Sequence, residues 1–255
     1  MIRKKVLLIR ILFLLRIFFS PVLGAQSVDD LILITEDYPP FNFIKDDYLQ
    51  GISVDLLDLM LKNLESKLSR DDIKLLPWAR GYNMLLKNRN TCLFATVRSE
   101  MRENKFKWVG PVAKSSVSLL AKKESQITIG SIDDIKKYRV GVVISDIGEQ
   151  LLVEAGIDLK DLRRLSGNDV IIRSIKQLGS NRIDIISYEE IAFMWTLKEM
   201  DLNRDDYEVV YNLSKNDLYY AFNLDTPDII INELQNALNN LKKDGTYLEI
   251  IQKYK

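Results

Sequence analysis

Short apolar runs alternate with helix-spaced segments twice along this chain, and that alternation restricts the fold more than any other feature. Leu31-Ile32-Leu33-Ile34 is a continuous apolar run of the kind a buried parallel strand carries. Pro39 and Pro40 break it, since neither can donate to a ladder or sit inside a helix. Ile52, Leu56, Leu59, Met60 and Leu64 then recur at helical spacing within 51–68, with Ser53 as the expected cap. A strand over 73–76 ends at Pro77, a helix follows over 80–88, and a strand over 91–97 closes the series. After Gly110-Pro111 a second series begins. Strands are expected over 116–122, 139–144 and 183–187, and helices over 132–137, 148–155, 169–178 and 191–200. A strand over 219–223 and an amphipathic helix over 228–242, ended by Asp244-Gly245, complete the chain.

Two βα series in one chain predict an α/β protein of two lobes, each a doubly wound sheet, with a hinge and cleft between them. The expected division is 26–115 for the first part of lobe 1, 116–220 for lobe 2, and 221–255 for a segment returning to lobe 1. Residues 1–25 read as a secretory leader. Arg3, Lys4 and Lys5 precede the apolar stretch 6–19, and Gly24-Ala25 offers a cleavage site. The apolar stretch is shorter than the ~20 residues needed to span a bilayer, and Arg10 and Arg16 interrupt it, which disfavours a membrane anchor. Export to the periplasm, with a cut near Ala25, is therefore expected.

Composition excludes several classes of function. Lys plus Arg number 36 and Asp plus Glu number 36, so no basic excess points to nucleic acid. The chain has no histidine, which removes the commonest general base and metal ligand. Its single cysteine, Cys92, cannot form an intrachain disulfide, and its apolar neighbours mark it as a buried thiol. No metal, cofactor or catalytic nucleophile–base pair is expected.

Ligands of doubly wound sheets sit at the carboxyl ends of the strands. The cleft should thus be lined by 35–41, 77–82, 95–102, 145–149 and 187–190. These loops carry Glu36, Asp37, Tyr38, Trp78, Arg80, Tyr82, Thr96, Arg98, Arg102, Ser145, Asp146, Tyr188 and Glu189. An arginine fork grips a carboxylate through two hydrogen bonds, aromatic faces wall in apolar parts, and an acid takes an ammonium. The mixture suits a small polar solute. Each residue also has a plainer reading: Trp78 as packing, Tyr38 as turn filling, lone arginines as solvated surface, and Glu189 as a helix-dipole partner.

Several motifs in order resemble a known family. They are Tyr38-Pro39-Pro40-Phe41, Gly51-Ile52-Ser53-Val54-Asp55-Leu56, Ser99-Glu100-Met101-Arg102, and Phe106-Lys107-Trp108-Val109-Gly110-Pro111. Ile132-Asp133-Asp134-Ile135, Val140-Gly141-Val142, Asn181-Arg182-Ile183-Asp184 and Leu241-Lys242-Lys243-Asp244-Gly245-Thr246-Tyr247 follow. The set resembles bacterial extracellular solute-binding proteins of family 3, the polar amino-acid-binding type serving ABC importers. Pro77-Trp78-Ala79-Arg80-Gly81-Tyr82 is similar to a less characterised branch. The resemblance implies a monomeric, periplasmic-binding-protein-like (type II) fold that captures solute and hands it to a membrane permease. It implies that Arg102 grips a ligand carboxylate, that Glu189 holds an ammonium, and that Tyr38 and Trp78 form walls.

The chain also departs from the pattern. Ala95 and Val97 stand where hydroxyls are usual, and Ser145-Asp146-Ile147 replaces a Gly-Thr-Thr-like turn. Carboxylate donors are thereby lost, and Asp146 would repel an anion. Either Arg98 and Arg80 compensate or the ligand differs. A ligand-sensing module for a membrane signalling partner, and an enzyme on the same fold, are the alternatives to a transport role.

Overall fold

The computed structural model describes residues 26–254. Ten strands and eight α-helices are described, with short 3-10 turns between them. The strands are β1 (Ile32–Thr35), β2 (Phe43–Lys45), β3 (Tyr48–Gln50), β4 (Lys74–Leu75), β5 (Thr91–Val97), β6 (Phe106–Lys122), β7 (Val140–Val143), β8 (Leu162–Leu165), β9 (Ile185–Glu189) and β10 (Tyr207–Asn223). The helices are α1 (Ile52–Asn63), α2 (Trp78–Lys87), α3 (Glu100–Glu103), α4 (Ile147–Glu154), α5 (Val170–Gly179), α6 (Glu190–Glu199), α7 (Asp228–Lys243) and α8 (Thr246–Lys253). The expected leader, 1–25, lies outside the described residues. Among those residues no helix is long and apolar enough to cross a membrane.

The two βα series do form two lobes, but they share one mixed sheet of order β4-β1-β5-β10-β6-β9-β7-β8. β4, β1 and β5 run parallel in the first lobe, and β9, β7 and β8 run parallel in the second. The link is the antiparallel pair β6 and β10, each 17 residues long. Their ladder extends from Asn223 opposite Phe106 to Tyr207 opposite Lys122. β5 pairs with one end of β10, at 218–222, and β9 pairs with the far end of β6, at 117–120. The expected strands over 116–122 and 219–223 are thus only the ends of these elements. The expected boundaries 115/116 and 220/221 fall inside the continuous strands.

Other corrections are local. Ser53 does not cap α1. Gly51 is the cap residue, and the carbonyls of Pro40 and Phe41 accept from the Ile52 and Ser53 amides at 3.1 and 2.8 Å. Backbone from the first loop therefore satisfies the helix start and fixes that loop in place. Within the loop, Tyr38 N–H donates to the Asn42 carbonyl at 2.6 Å, and Asn42 Nδ2 donates to the Glu36 carbonyl at 2.7 Å. Trp78 opens α2 rather than lying on a loop, because Pro77 suits the position just before a helix. The β2–β3 hairpin and β8 had no sequence signal that stood out. Cys92 is fully buried on β5, as expected.

The C-terminal helix is stapled back onto α1. Tyr254 Oη donates to Asp55 Oδ2 at 2.7 Å and accepts from the Gly51 amide at 3.0 Å. Arg70 and Lys253 pair with the same Asp55 carboxylate at 2.9 and 2.7 Å. Gly51 is needed twice over here. Its φ is +127°, and an added Cβ would lie 2.4 Å from the Phe41 carbonyl oxygen. Gly51→Ala is therefore expected to cost about 2–4 kcal/mol, from backbone strain plus the clash. Gly156→Ala has φ +93° and open space around it, and should cost only about 1 kcal/mol. Urea denaturation of the two variants beside the parent protein measures both; equal losses would refute the steric part.

Candidate functional site

Residues from all five expected loops meet where the lobes face each other. Arg102, on α3, is fully buried. Its guanidinium carbon lies 5.3 Å from the Trp78 ring centroid and 5.1 Å from that of Tyr82. Those two rings are themselves stacked with centroids 5.7 Å apart. Rings so placed favour a cation through their negative faces and shield it from water.

The second lobe meets this cation through a backbone carbonyl. Ser145 has φ +64°, a left-handed conformation uncommon for a residue with a side chain. Its carbonyl oxygen accepts from Trp78 Nε1 at 2.8 Å, from Gln150 Nε2 at 2.9 Å and, at a longer 3.4 Å, from Arg102 Nη2. Gln150 Oε1 accepts from Arg102 Nε at 3.0 Å. Behind the turn, the Ser145 amide donates to Glu149 Oε1 at 2.9 Å, and Glu149 is paired with Arg164 at 2.5 Å. The turn is thus anchored from the outer side of its lobe.

Acids surround the same space. Glu36 is buried, and burial pushes its carboxyl well above the usual range, with the Asp146 and Asp37 charges adding and Arg102 opposing. Burial raises Asp37 to about 6 and Glu189 to about 7. Asp146 is also raised, first by burial, although Arg102 and the Ile147 and Gly148 amides at the start of α4 favour its charge. Tyr38 and Tyr188 meet edge to face at 5.6 Å amid these carboxylates. Both phenols are held well above their ordinary value by burial and then by acid charge: Glu189, Asp146 and Glu36 act on Tyr38, and Glu36, Asp146, Asp37 and Glu189 on Tyr188.

The expected site residues divide into two groups. Arg102, Trp78, Tyr38, Glu36 and Ser145 come together, Ser145 through its carbonyl rather than its hydroxyl. Glu189 lies beside them, but its carboxylate also accepts from the Ala192 amide at 2.7 Å and the Ser116 amide at 3.3 Å, so it caps α6 as well. Thr96 is buried, with its hydroxyl turned onto its own strand at the Leu93 carbonyl, 3.0 Å away. Arg98 is not brought to the cluster. It forks onto Glu103 at 2.6 and 2.5 Å and lies over the Trp108 and Tyr219 rings. Arg80 is exposed on α2. An exposed position in the first turn of α2 for Arg80, and a nearby acid for Arg98, account for these two outcomes. Gln150 is the residue missed; it lies one turn into α4, at a helical spacing from Asp146 that points back to the cleft. No cluster arranged for a metal ion is present among the described residues.

Two lobes sharing a pair of long strands, with charged and aromatic side chains between them, define a two-lobed binding protein. The chain belongs to the bacterial extracellular solute-binding proteins, family 3, whose pattern matches residues 31–255. The L-cystine-binding protein TcyJ of Escherichia coli K12 is 25% identical over 237 residues, covering 88% of this chain and 81% of that protein. An ancestral arginine-binding protein bound to arginine shares the fold with TM-score 0.72 and 22% identity, over 88% of this chain and 97% of that one. A histidine kinase sensor domain with similarity to periplasmic binding proteins shares it with TM-score 0.75 and 20% identity, over 88% and 96%.

The raised acids give a testable pH dependence. A carboxyl whose folded pKa exceeds its unfolded value binds more protons when folded, so stability falls as pH rises between the two values. For Glu189 that window runs from the unfolded 4.5 to about 7. Urea unfolding should show stability declining by up to a few kcal/mol across it, and Glu189→Gln should flatten the decline. An unchanged slope in that variant would contradict the buried, proton-retaining Glu189.

Proposed function

We propose that this chain is an extracytoplasmic solute-binding protein that closes its lobes on a small polar solute carrying a cationic group, and delivers it to the permease of an ABC importer. The observation that carries this reading is the gathering of Glu36, Asp37, Asp146 and Glu189 around Tyr38 and Tyr188, with the Arg102 guanidinium opposing their charge. Carboxylates gathered in a poorly hydrated space repel one another, and a bound cation relieves that repulsion. Aromatic faces add to the attraction. The family membership and the likeness to amino-acid-binding proteins support capture of amino-acid-sized solutes, and binding rather than turnover is the proposed activity.

Closure follows from where the contacts lie. Trp78 and Arg102 belong to the first lobe and Ser145 and Gln150 to the second, so the β6–β10 connection has to bend for them to part. A solute touching both lobes selects the closed arrangement. A second reading gives the solute a carboxylate held by Arg102. It is favoured by the full burial of that guanidinium, for which no ion pair is present among the described residues. Trapping solute for a membrane-bound sensor is the remaining use of the same closure, in keeping with the fold of the kinase sensor domain.

Thermal shift of the purified protein tests the reading. Amines, basic amino acids and dicarboxylic acids are each added at pH 7.5 and pH 5.5. A ligand at a hundredfold excess over its Kd stabilises by about 2.7 kcal/mol, or roughly 5–10 °C for a domain of this size. Cationic solutes should raise Tm, and more so at pH 7.5 than at pH 5.5, because Asp37 and Glu189, held at about 6 and about 7 by burial, are more fully ionised there. A rise confined to dicarboxylic acids would sink the cationic reading.

A further inference from the structure

Arg102 offers two faces on which a ligand carboxylate could dock. Its side edge, formed by Nε and Nη2, is the fork that matches the two oxygens of a carboxylate. In this protein that edge already faces two oxygens, Gln150 Oε1 at 3.0 Å and the Ser145 carbonyl at 3.4 Å. The opposite nitrogen, Nη1, donates to the Val97 carbonyl at 3.3 Å. The Gln150 amide has only one workable orientation. Its Nε2 must face the Ser145 carbonyl, which only accepts, so its Oε1 faces the arginine, which only donates. The left-handed turn at Ser145 aims the carbonyl inward, and Trp78 Nε1 secures it from the other lobe.

The start of α4 also carries an acid. Asp146 is its cap residue; its side chain makes no capping hydrogen bond, but the Ile147 and Gly148 amides favour its charged form. Helix-start amides of this kind would otherwise attract a ligand anion. The protein thereby places its own oxygens on the arginine and its own carboxylate at the helix start. Neither Arg98, forked onto Glu103, nor exposed Arg80 supplies a replacement.

We infer that Arg102, Gln150, the Ser145 carbonyl and Asp146 form a self-satisfied replacement for a bound carboxylate, and that the solute is a carboxylate-free amine or guanidine cation. The remaining acids, Glu36, Asp37 and Glu189, then face the cation with no ligand anion to offset them. The inference rests on the cationic reading above and goes further by excluding the amino-acid carboxylate. Asp146 also provides discrimination, because an incoming carboxylate would meet a like charge in a poorly hydrated site.

Matched pairs differing only in the carboxylate test this: agmatine against L-arginine, and 1,5-diaminopentane against L-lysine, each titrated calorimetrically into the purified protein at pH 7.5. Each amine should bind at least about tenfold more tightly than its amino acid, one tenfold step being about 1.4 kcal/mol. Asp146→Asn removes the resident charge, and Gln150→Ala frees the arginine edge. Each should move the ratio toward the amino acid by about tenfold, with the circular dichroism spectrum and melting temperature confirming folding. An amino acid binding as tightly as its amine in the unaltered protein overturns the inference, whatever the variants do. Binding of none of the four compounds would instead sink the cationic reading itself, and the inference with it.

Discussion

Everything in this molecule hangs on the antiparallel ladder of β6 and β10. It runs from Asn223–Phe106 to Tyr207–Lys122, and each half of the chain builds its parallel strands onto one end of it. The register slips between Val209 and Tyr211, between Asn212 and Ser214, and between Leu218 and Tyr220. Irregular ladders bend more readily than regular ones. A connection of two hydrogen-bonded strands fixes how the lobes face each other. It is this restriction that lets side chains as far apart in sequence as Trp78 and Ser145 meet with hydrogen-bond accuracy.

Charge is distributed with the same economy. Away from the cleft, acids and bases are paired at the surface: Asp184 with Arg139 at 2.6 Å, Asp134 with Lys137 at 2.5 Å, Asp228 with Lys107 at 2.5 Å. Such pairs add little stability and screen readily. Between the lobes the pattern reverses. Among the described residues the carboxylates there form no ion pairs, and burial makes them hold their protons more tightly. The contrast separates the solvated surface from the buried space between the lobes.

Much of this was legible in the sequence. Apolar runs located β1, β5 and β7 because both faces of those strands are buried, and the strand ends then named the five loops that converge. The middle of β10 was not legible. Its stretch Asn212-Leu213-Ser214-Lys215-Asn216-Asp217 has polar residues on both faces and only Leu213 packed against the cores, so no alternation marks it as a strand. Arg98 was misplaced because its partner Glu103 lies across the turn into α3, a contact that sequence spacing does not announce. Gln150 escaped notice because its role depends on how the lobes meet, which is a property of the tertiary structure alone.

The chain contains three tryptophans, and two of them press against the opposite lobe. Trp78 does so through its indole N–H at the Ser145 carbonyl, and Trp195 through its ring, whose centroid is 5.7 Å from that of Phe43. Indole emission responds to hydrogen bonding and to hydration. Opening the cleft would wet both rings together, while Trp108 stays within its own lobe as a constant background. Under the closure proposed above, the protein carries its own optical readout of whether the lobes are together or apart, with no label attached.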